Sequence, residues 1–124
     1  MTPANVAILV VEDDPLILLT AVEIVQDAGF QALAATSADE ALSILEERPD
    51  VRLVFTDIQM PGSMDGLRLA HAVRERWPPI ELIVTSGRGP IAADDLPDRG
   101  RFLAKPYDTK ALSRAFREMT GAAG

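Results

Sequence analysis

The sequence predicts a doubly wound α/β domain, in which a parallel sheet of five strands carries helices on both faces. Five short apolar runs alternate with longer stretches whose apolar residues recur at helical spacing, which is typical of consecutive β-α units. The runs are apolar at nearly every position, as strands buried on both faces are. The 124 residues suit a single domain, and we expect 6–120 to form its core and 121–124 a flexible tail.

The first half of the chain is predicted to form two β-α units. A strand over 6–11 is followed by Asp14 and Pro15, which suit the N-cap and the first position of a helix. The second strand is predicted over 30–35. The helix behind it is expected to begin after Ser37, because this serine and the glutamate three residues later form a capping box.

The second half is predicted to contain three more strands, at 51–56, 80–84 and 102–104. A helix over 67–77 follows the first of these strands, and a helix capped by Asp108 follows the last. Residues 85–100 contain three glycines, two prolines and three aspartates. The fourth helix is therefore expected to be short, within 91–96, or irregular.

Composition excludes several classes of site. The chain has no cysteine and one histidine, so a disulfide framework, a thiol nucleophile and a multi-histidine metal site are excluded. The net charge of −7 argues against a domain built to bind nucleic acid. Residues 1–50 hold ten acids and one base, which indicates either a cation site near the N-terminus or simply two differently solvated surfaces. No apolar run is long enough to span a membrane, and we expect a cytoplasmic protein.

Chemically useful side chains follow four of the predicted strands. Glu12 and Asp13 follow the first strand, Asp57 the third, Thr85 the fourth and Lys105 the fifth. Because the carboxyl ends of parallel strands meet at one edge of a sheet, these groups are expected to converge. Three carboxylates suit Mg²⁺, and a hydroxyl and an ammonium suit phosphoryl oxygens. The set therefore predicts transfer of a phosphoryl group to a carboxylate.

Five motifs with this spacing resemble the receiver domain of two-component response regulators over 6–120. They are LVVEDD at 9–14, TDIQMP at 56–61, MDG at 64–66, VTSG at 84–87 and AKP at 104–106. The resemblance implies a flavodoxin-like strand order, 2-1-3-4-5. It also implies that Asp57 is the phosphoacceptor.

The resemblance further assigns a metal site for Mg²⁺ or Mn²⁺. Asp13 matches the direct ligand, Glu12 matches a second acid that acts largely through water, and Asp57 contributes its carboxylate. Gln59 matches the position whose backbone carbonyl binds the ion. The alternative for the acids of the first loop is a cluster favoured only by a helix N-terminus, which is how we interpret Asp14.

The remaining implied roles concern the switch. Thr85 matches the hydroxyl that moves toward the phosphoryl group, and Lys105 matches the lysine that binds it. Phe102 falls on the aromatic position that turns inward on activation, although an ordinary core residue is the alternative. The bond between Lys105 and Pro106 is expected to be cis. His71 is interpreted as a surface histidine, and Trp77 as packing at a helix end.

The implied function is a phosphorylation-dependent signalling switch, not an enzyme acting on a separate substrate. By the same resemblance, it is expected to catalyse only its own phosphorylation and dephosphorylation. A histidine kinase or a histidine phosphotransfer protein is the expected donor, and contact with a further protein the expected output. We expect a monomer or a weak phosphorylation-dependent dimer, without nucleic acid or membrane. Nothing follows the last helix, so we expect a stand-alone receiver.

Three alternatives remain open at this point. The chain could be a receiver segment of a hybrid histidine kinase, or a receiver-like binding module that is never phosphorylated. An aspartate-nucleophile phosphatase is disfavoured, because that class needs an acid where Gln59 stands. The chain departs from the family pattern by one extra residue at Gly62-Ser63 and by its short segment 87–100.

Overall fold

Five strands form one parallel sheet in the computed structural model, which describes residues 6–60, 62, 64–88 and 91–121. The strands are β1 (Ala7–Val11), β2 (Gln31–Ala35), β3 (Val51–Asp57), β4 (Glu81–Ser86) and β5 (Arg101–Ala104). Their order across the sheet is β2-β1-β3-β4-β5, and every neighbouring pair is parallel. The predicted fold class and strand order are confirmed. The order reverses direction between β1 and β3, the place where such sheets bind ligands.

Four α-helices connect or follow these strands within the described residues: α1 (Pro15–Asp27), α2 (Ala38–Glu47), α3 (Gly66–Arg76) and α4 (Thr109–Thr120). Each helix begins after a side chain that accepts a hydrogen bond from a backbone N–H of the first turn. The predicted caps Asp14, Ser37 and Asp108 are confirmed, and Asp65 caps α3 in the same way. These caps fix where each helix leaves the carboxyl edge of the sheet.

The core consists of two apolar layers, one on each face of the sheet. Helices α1 and α4 bury apolar residues against one face, and α2 and α3 against the other. Strand β1 is buried along its whole length, which explains the uninterrupted apolar run in the sequence. Among the described residues, no helix combines the length and the apolar character required to cross a bilayer.

The segment between β4 and β5 contains one turn of 3₁₀ helix, Ala93–Asp95, where a doubly wound sheet ordinarily has an α-helix. The prediction of a short or irregular fourth helix is confirmed. Two side chains of α3 hold the segment: His71 Nε2 lies 2.7 Å from the Asp95 carbonyl oxygen, and Arg74 Nε donates to the Asp98 carbonyl oxygen at 2.8 Å. Phe102 lies on β5, the strand that follows this segment, and its side chain is partly exposed.

Three sequence expectations fall wholly or partly outside the described residues. Ser63, half of the predicted loop extension, lies outside them, whereas Gly62 is exposed with a φ of 113°. Residues 89–90 of the irregular segment also lie outside. Of the predicted tail 121–124, only Gly121 is described, and it ends α4 in the left-handed conformation with a φ of 74°.

Candidate functional site

Three carboxylates meet at the carboxyl edge of the sheet. Glu12 and Asp13 directly follow β1, and Asp57 is the last residue of β3. One carboxylate oxygen from each of the three lies within 4.8 Å of the others. Glu12 and Asp57 are each 4% exposed, whereas Asp13 is open to solvent. Like charges this close repel one another, so the group favours a bound cation with oxygen ligands.

Lys105 supplies a cation from the other side of the site. Its Nζ donates a hydrogen bond to Glu12 Oε1 at 3.0 Å and lies 3.4 Å from Asp57 Oδ1. Burial by itself lowers the pKa of Lys105, but the hydrogen bond to Glu12 and the negative charge of Asp57 outweigh burial. The pKa of Lys105 is therefore raised above its ordinary value, and the ammonium stays charged between the two acids.

The carboxyl group of Glu12 has a raised pKa. Burial is the main cause, and the negative charge of Asp57 adds to it. The hydrogen bonds that its oxygens accept from the Asp14 backbone N–H and from Lys105 partly oppose this shift. Three carboxylates thus face a single ammonium at this edge of the sheet, which leaves room for a second cation.

Two buried oxygens of the site lack hydrogen bonds. Neither Asp57 Oδ1 nor Thr85 Oγ1 has a hydrogen-bond partner among the described residues, and at 3.4 Å Lys105 makes only an ion pair with the former. Asp57 and Thr85 face each other across β3 and β4 in the strand register. An unsatisfied buried polar atom costs about 1–3 kcal/mol, so both oxygens are poised to bind a group that enters the site.

The loop after Asp57 returns closely onto that residue. A Cβ atom on Gly66 would lie 1.7 Å from the Asp57 carbonyl oxygen, so only glycine fits at the start of α3. The Gly66 N–H donates to the Ile58 carbonyl oxygen at 3.0 Å, and Thr56 Oγ1 donates to the Asp57 carbonyl oxygen at 3.0 Å. These contacts fix the backbone that presents the Asp57 carboxylate.

Ser86 was not among the sequence-predicted site residues, yet it connects three loops at the site. Its hydroxyl donates to Gln59 Oε1 at 2.9 Å and accepts from the Arg88 N–H at 3.1 Å. Its carbonyl oxygen accepts from the Lys105 N–H at 3.0 Å. No sequence signal links Ser86 to Gln59, since the pair is a tertiary contact between residues 27 positions apart.

An apolar cleft of about 600 Å³ opens beside Lys105. Its walls come from the first turns of α1 and from the loops after β4 and β5: Leu16, Ile17, Thr20, Gly87, Lys105, Pro106 and Tyr107. Leu16 is 77% exposed, although it is a large apolar residue. The Lys105–Pro106 bond is cis, as the resemblance implies, and the Tyr107 ring packs edge-on against Phe55 at 5.4 Å.

Comparison with known proteins settles the family. The family model for the response regulator receiver domain matches residues 8–117. This chain belongs to that family. The receiver domain is 35% identical over 119 residues to the sensor kinase CckA of Brucella abortus, covering 93% of this chain and 12% of the kinase. It is 36% identical over 110 residues to the nitrogen assimilation regulatory protein NtrX of Azorhizobium caulinodans, covering 85% of this chain and 24% of NtrX.

Solved receiver structures agree with this assignment. The response regulator receiver domain protein of Clostridium thermocellum superimposes with a TM-score of 0.86 at 26% identity, covering 94% of each chain. Receiver domains are phosphoacceptor signalling modules of two-component systems, and they interact with histidine kinases. This receiver spans only about an eighth to a quarter of the two curated relatives described above.

Proposed function

We propose that this receiver accepts a phosphoryl group on Asp57 and thereby changes its contacts with other proteins. The observation that carries the proposal is the pair of buried, unpartnered oxygens on Asp57 and Thr85, with the ammonium of Lys105 beside them. A stable fold gains nothing from two such oxygens. A tetrahedral phosphoryl group on Asp57 would give the Thr85 hydroxyl an acceptor and the Lys105 ammonium a further one.

The donor that suits this site is a phosphohistidine of a sensor kinase or of a phosphotransfer protein. An Asp57 carboxylate oxygen attacks phosphorus, the bond between phosphorus and the imidazole nitrogen breaks, and that nitrogen takes up a proton. The products are an acyl phosphate on Asp57 and a neutral histidine. The domain positions the reacting groups and stabilises the charge that develops on them, and it acts on no separate substrate.

The acidic cluster fits Mg²⁺, or Mn²⁺, because its donors are all oxygens and its three carboxylates face only the one ammonium of Lys105. Asp13 and Asp57 would hold the ion directly, Glu12 largely through water, and Gln59 through its backbone carbonyl. When bound, the ion neutralises charge on the phosphoryl oxygens. Asp13 is the exposed member and so forms the entrance of the site.

Two residues connect the phosphoryl group to the rest of the domain in this proposal. Thr85 moves toward the phosphoryl oxygen, since its hydroxyl has no partner to give up among the described residues. Phe102 is paired with Val84 in the strand register and is partly exposed, so an inward turn when Thr85 moves would bury more of its ring. The modified site would then shift an existing equilibrium between two conformations.

The cleft beside Lys105 is the surface where we place the histidine-bearing partner. It joins the apolar first turns of α1, including Leu16, directly to the site. An apolar partner face could bury Leu16 while it delivers the histidine to Asp57. We assign the domain to the cytoplasm, where such kinases phosphorylate their partners, as a monomer or a weak phosphorylation-dependent dimer.

A second candidate concerns the chain in which the receiver works. The similarity to the sensor kinase CckA favours a receiver segment of a hybrid kinase. The similarity to NtrX favours a response regulator instead. The proposed phosphoryl transfer to Asp57 is the same in a hybrid kinase and in a response regulator, and only the partner protein differs between them.

Titration with beryllofluoride and Mg²⁺, followed by NMR, tests the proposal without a kinase. Beryllofluoride mimics a phosphoryl group on a carboxylate. We expect amide shifts that include the neighbourhoods of Asp57, Thr85 and Lys105, and no such shifts in Asp57→Asn or when Mg²⁺ is omitted. An unchanged wild-type spectrum at saturating reagent would instead support a receiver-like binding module that is never phosphorylated.

A further inference from the structure

A second cleft, of about 360 Å³, lies at the amino edge of the sheet, opposite the edge that carries Asp57. It is lined by the end of α2, the first residues of β3, and the segment between α3 and β4. Its buried apolar lining consists of Leu45, Val51 and Ile80. The volume falls within the range of small-molecule sites, and none of the described residues around Asp57 lines the cleft.

Trp77 gives this cleft an aromatic wall. Its side chain lines the cleft and is partly buried. The Arg76 guanidinium lies 4.4 Å from the centroid of the Trp77 ring and donates a hydrogen bond to Glu46 Oε2 at 2.8 Å, which restrains the ring. Pro49 and Pro79 also line the cleft, and proline rings make rigid walls. An aromatic ring between rigid apolar walls favours a flat, aromatic ligand.

The charged residues of the cleft leave one positive charge uncompensated. Three of them line it: Glu46, Arg48 and Arg52. Glu46 is paired with Arg76, and Arg48 donates two hydrogen bonds to the Asp50 carboxylate, at 2.9 and 2.7 Å. Arg52 is exposed near the start of β3 and has no hydrogen bond or ion pair with any other described residue. Its guanidinium is therefore available to a carboxylate of a ligand.

We propose that this cleft binds a small aromatic carboxylate, with the ring beside Trp77 and the carboxylate at Arg52. The apolar lining favours the ring, and the single uncompensated charge favours a monoanion over a polyanion. The volume is near the lower end of the range for small-molecule sites, which favours one or two fused rings. The inference goes beyond the proposed function, since the cleft lies at the other edge of the sheet and needs no phosphoryl group on Asp57.

NMR titration of the full chain with 2-naphthoate tests the site, because Trp77 is the only tryptophan and gives one indole N–H signal. We expect a saturable shift of that signal and of the Val51 and Ile80 amides, with a Kd on the order of 1 mM for a ligand of this size. The alcohol 2-naphthalenemethanol keeps the rings without the charge and should bind about fivefold more weakly. Acetate has the charge without the rings and should not shift the indole signal.

Replacement of Arg52 tests the charge separately from the rings. Arg52→Gln should weaken binding of 2-naphthoate about fivefold and leave binding of 2-naphthalenemethanol unchanged, a pattern that a general loss of packing would not give. Arg114→Gln, the same change at an exposed arginine of α4, is the matched control and should bind both compounds as the wild type does.

Three results would overturn the inference. The first is an indole signal that does not move with 2-naphthoate at about 10 mM, well above the expected Kd. The second is equal affinity for the acid and the alcohol, or an Arg52→Gln variant that binds 2-naphthoate as tightly as the wild type. The third is a set of shifts confined to Gly87 and Tyr107, which would place the compound in the cleft beside Lys105 instead.

Discussion

Lys105 Nζ lies 3.0 Å from Glu12 Oε1, which joins two residues 93 positions apart in the chain. The same ammonium lies 3.4 Å from Asp57 Oδ1. One cation therefore stands between two carboxylates that are each 4% exposed. The carboxyl edge of the sheet thus concentrates one positive and three negative groups around the oxygen that we propose receives the phosphoryl group.

Replacing Lys105 by methionine should damage stability and chemistry together. Removal of the ammonium leaves Glu12 and Asp57 facing each other without a cation. Breaking a fully buried ion pair costs ~3–5 kcal/mol; Lys105 is 20% exposed, so we expect a loss of about 1–3 kcal/mol in unfolding free energy. Phosphorylation by acetyl phosphate should fall at least tenfold. Denaturant titration and intact mass measure the two effects.

The matched control is Lys110→Met, since Lys110 is the other lysine of the chain and is exposed on α4. It should change stability by no more than about 0.5 kcal/mol and leave phosphorylation intact. Equal behaviour of the two methionine variants would mean that the Lys105 ion pairs do not exist in solution.

Gly66 should not tolerate even a methyl group. A Cβ atom there would lie 1.7 Å from the Asp57 carbonyl oxygen, and the neighbouring backbone cannot yield cheaply. We expect Gly66→Ala to lose about 2 kcal/mol or more, at the upper end of overpacking effects. At Gly87 the nearest atom to an added Cβ is Lys105 Cδ at 3.8 Å, so Gly87→Ala is the control and should fold normally. Similar melting curves for the two variants would refute the close approach of α3 to Asp57.

Substitutions of the neighbours Asp13 and Asp14 should affect different properties, metal binding for the first and helix capping for the second. Asp14 accepts hydrogen bonds from the Leu16 and Ile17 N–H groups, so Asp14→Ala should lose about 0.5–2 kcal/mol of stability and retain Mg²⁺ affinity. Asp13→Asn should weaken Mg²⁺ at least tenfold, because it removes an exposed charged ligand of the cluster. Calorimetric Mg²⁺ titration with denaturant unfolding measures both quantities. If Asp13→Asn lost stability and Asp14→Ala lost Mg²⁺ affinity instead, Asp13 would be the helix cap and Asp14 the metal ligand.

Tyr107 is the only tyrosine of the chain, so its titration tests directly whether its ring is buried in the wall of the cleft. Burial raises the pKa of Tyr107 above its ordinary value of 10.0, although the nearby charge of Lys105 opposes the shift. The folded protein thus keeps the phenol proton at a pH where the unfolded chain has lost it. The unfolding free energy should therefore fall as pH rises from about 10 through the folded pKa.

Tyrosinate absorbance against pH measures this directly, with the denatured protein as reference. The native midpoint should be the higher of the two. A native midpoint at or below the denatured one would place the Tyr107 ring in solvent and remove it from the cleft.

The sequence was most informative where the determining interactions are local or follow from topology. Asp14, Ser37 and Asp108 cap helices within four residues of themselves, and the continuous apolar run of β1 marks a strand buried on both faces. The convergence of Lys105 on Glu12 follows once the strands are known to be parallel, because their carboxyl ends must meet.

Tertiary contacts of single side chains could not be predicted from the sequence. Ser86 forms a hydrogen bond with Gln59 between two loops, and nothing in the sequence around either residue indicates this pairing. The glycines and prolines of 87–100 predicted a short or irregular fourth helix, and the described part of this segment has the 3₁₀ turn Ala93–Asp95. They gave no sign that Arg74 holds that segment or that His71, taken as a plain surface histidine, contacts the Asp95 carbonyl. Trp77 packs partly against the core at the end of α3, as expected, and also stacks beneath the Arg76 guanidinium at 4.4 Å.

Intact mass after incubation with acetyl phosphate and Mg²⁺ shows whether Asp57 accepts a phosphoryl group. The wild type should gain the mass of one HPO₃, and the gain should be absent in Asp57→Asn and in the presence of EDTA. Asp65→Asn, which alters an acid that caps α3 rather than one of the metal cluster, serves as the control and should still gain it. An equal gain in Asp57→Asn would place the phosphoryl group elsewhere, and no gain in a wild type that also fails to respond to beryllofluoride would mean that the domain is not phosphorylated.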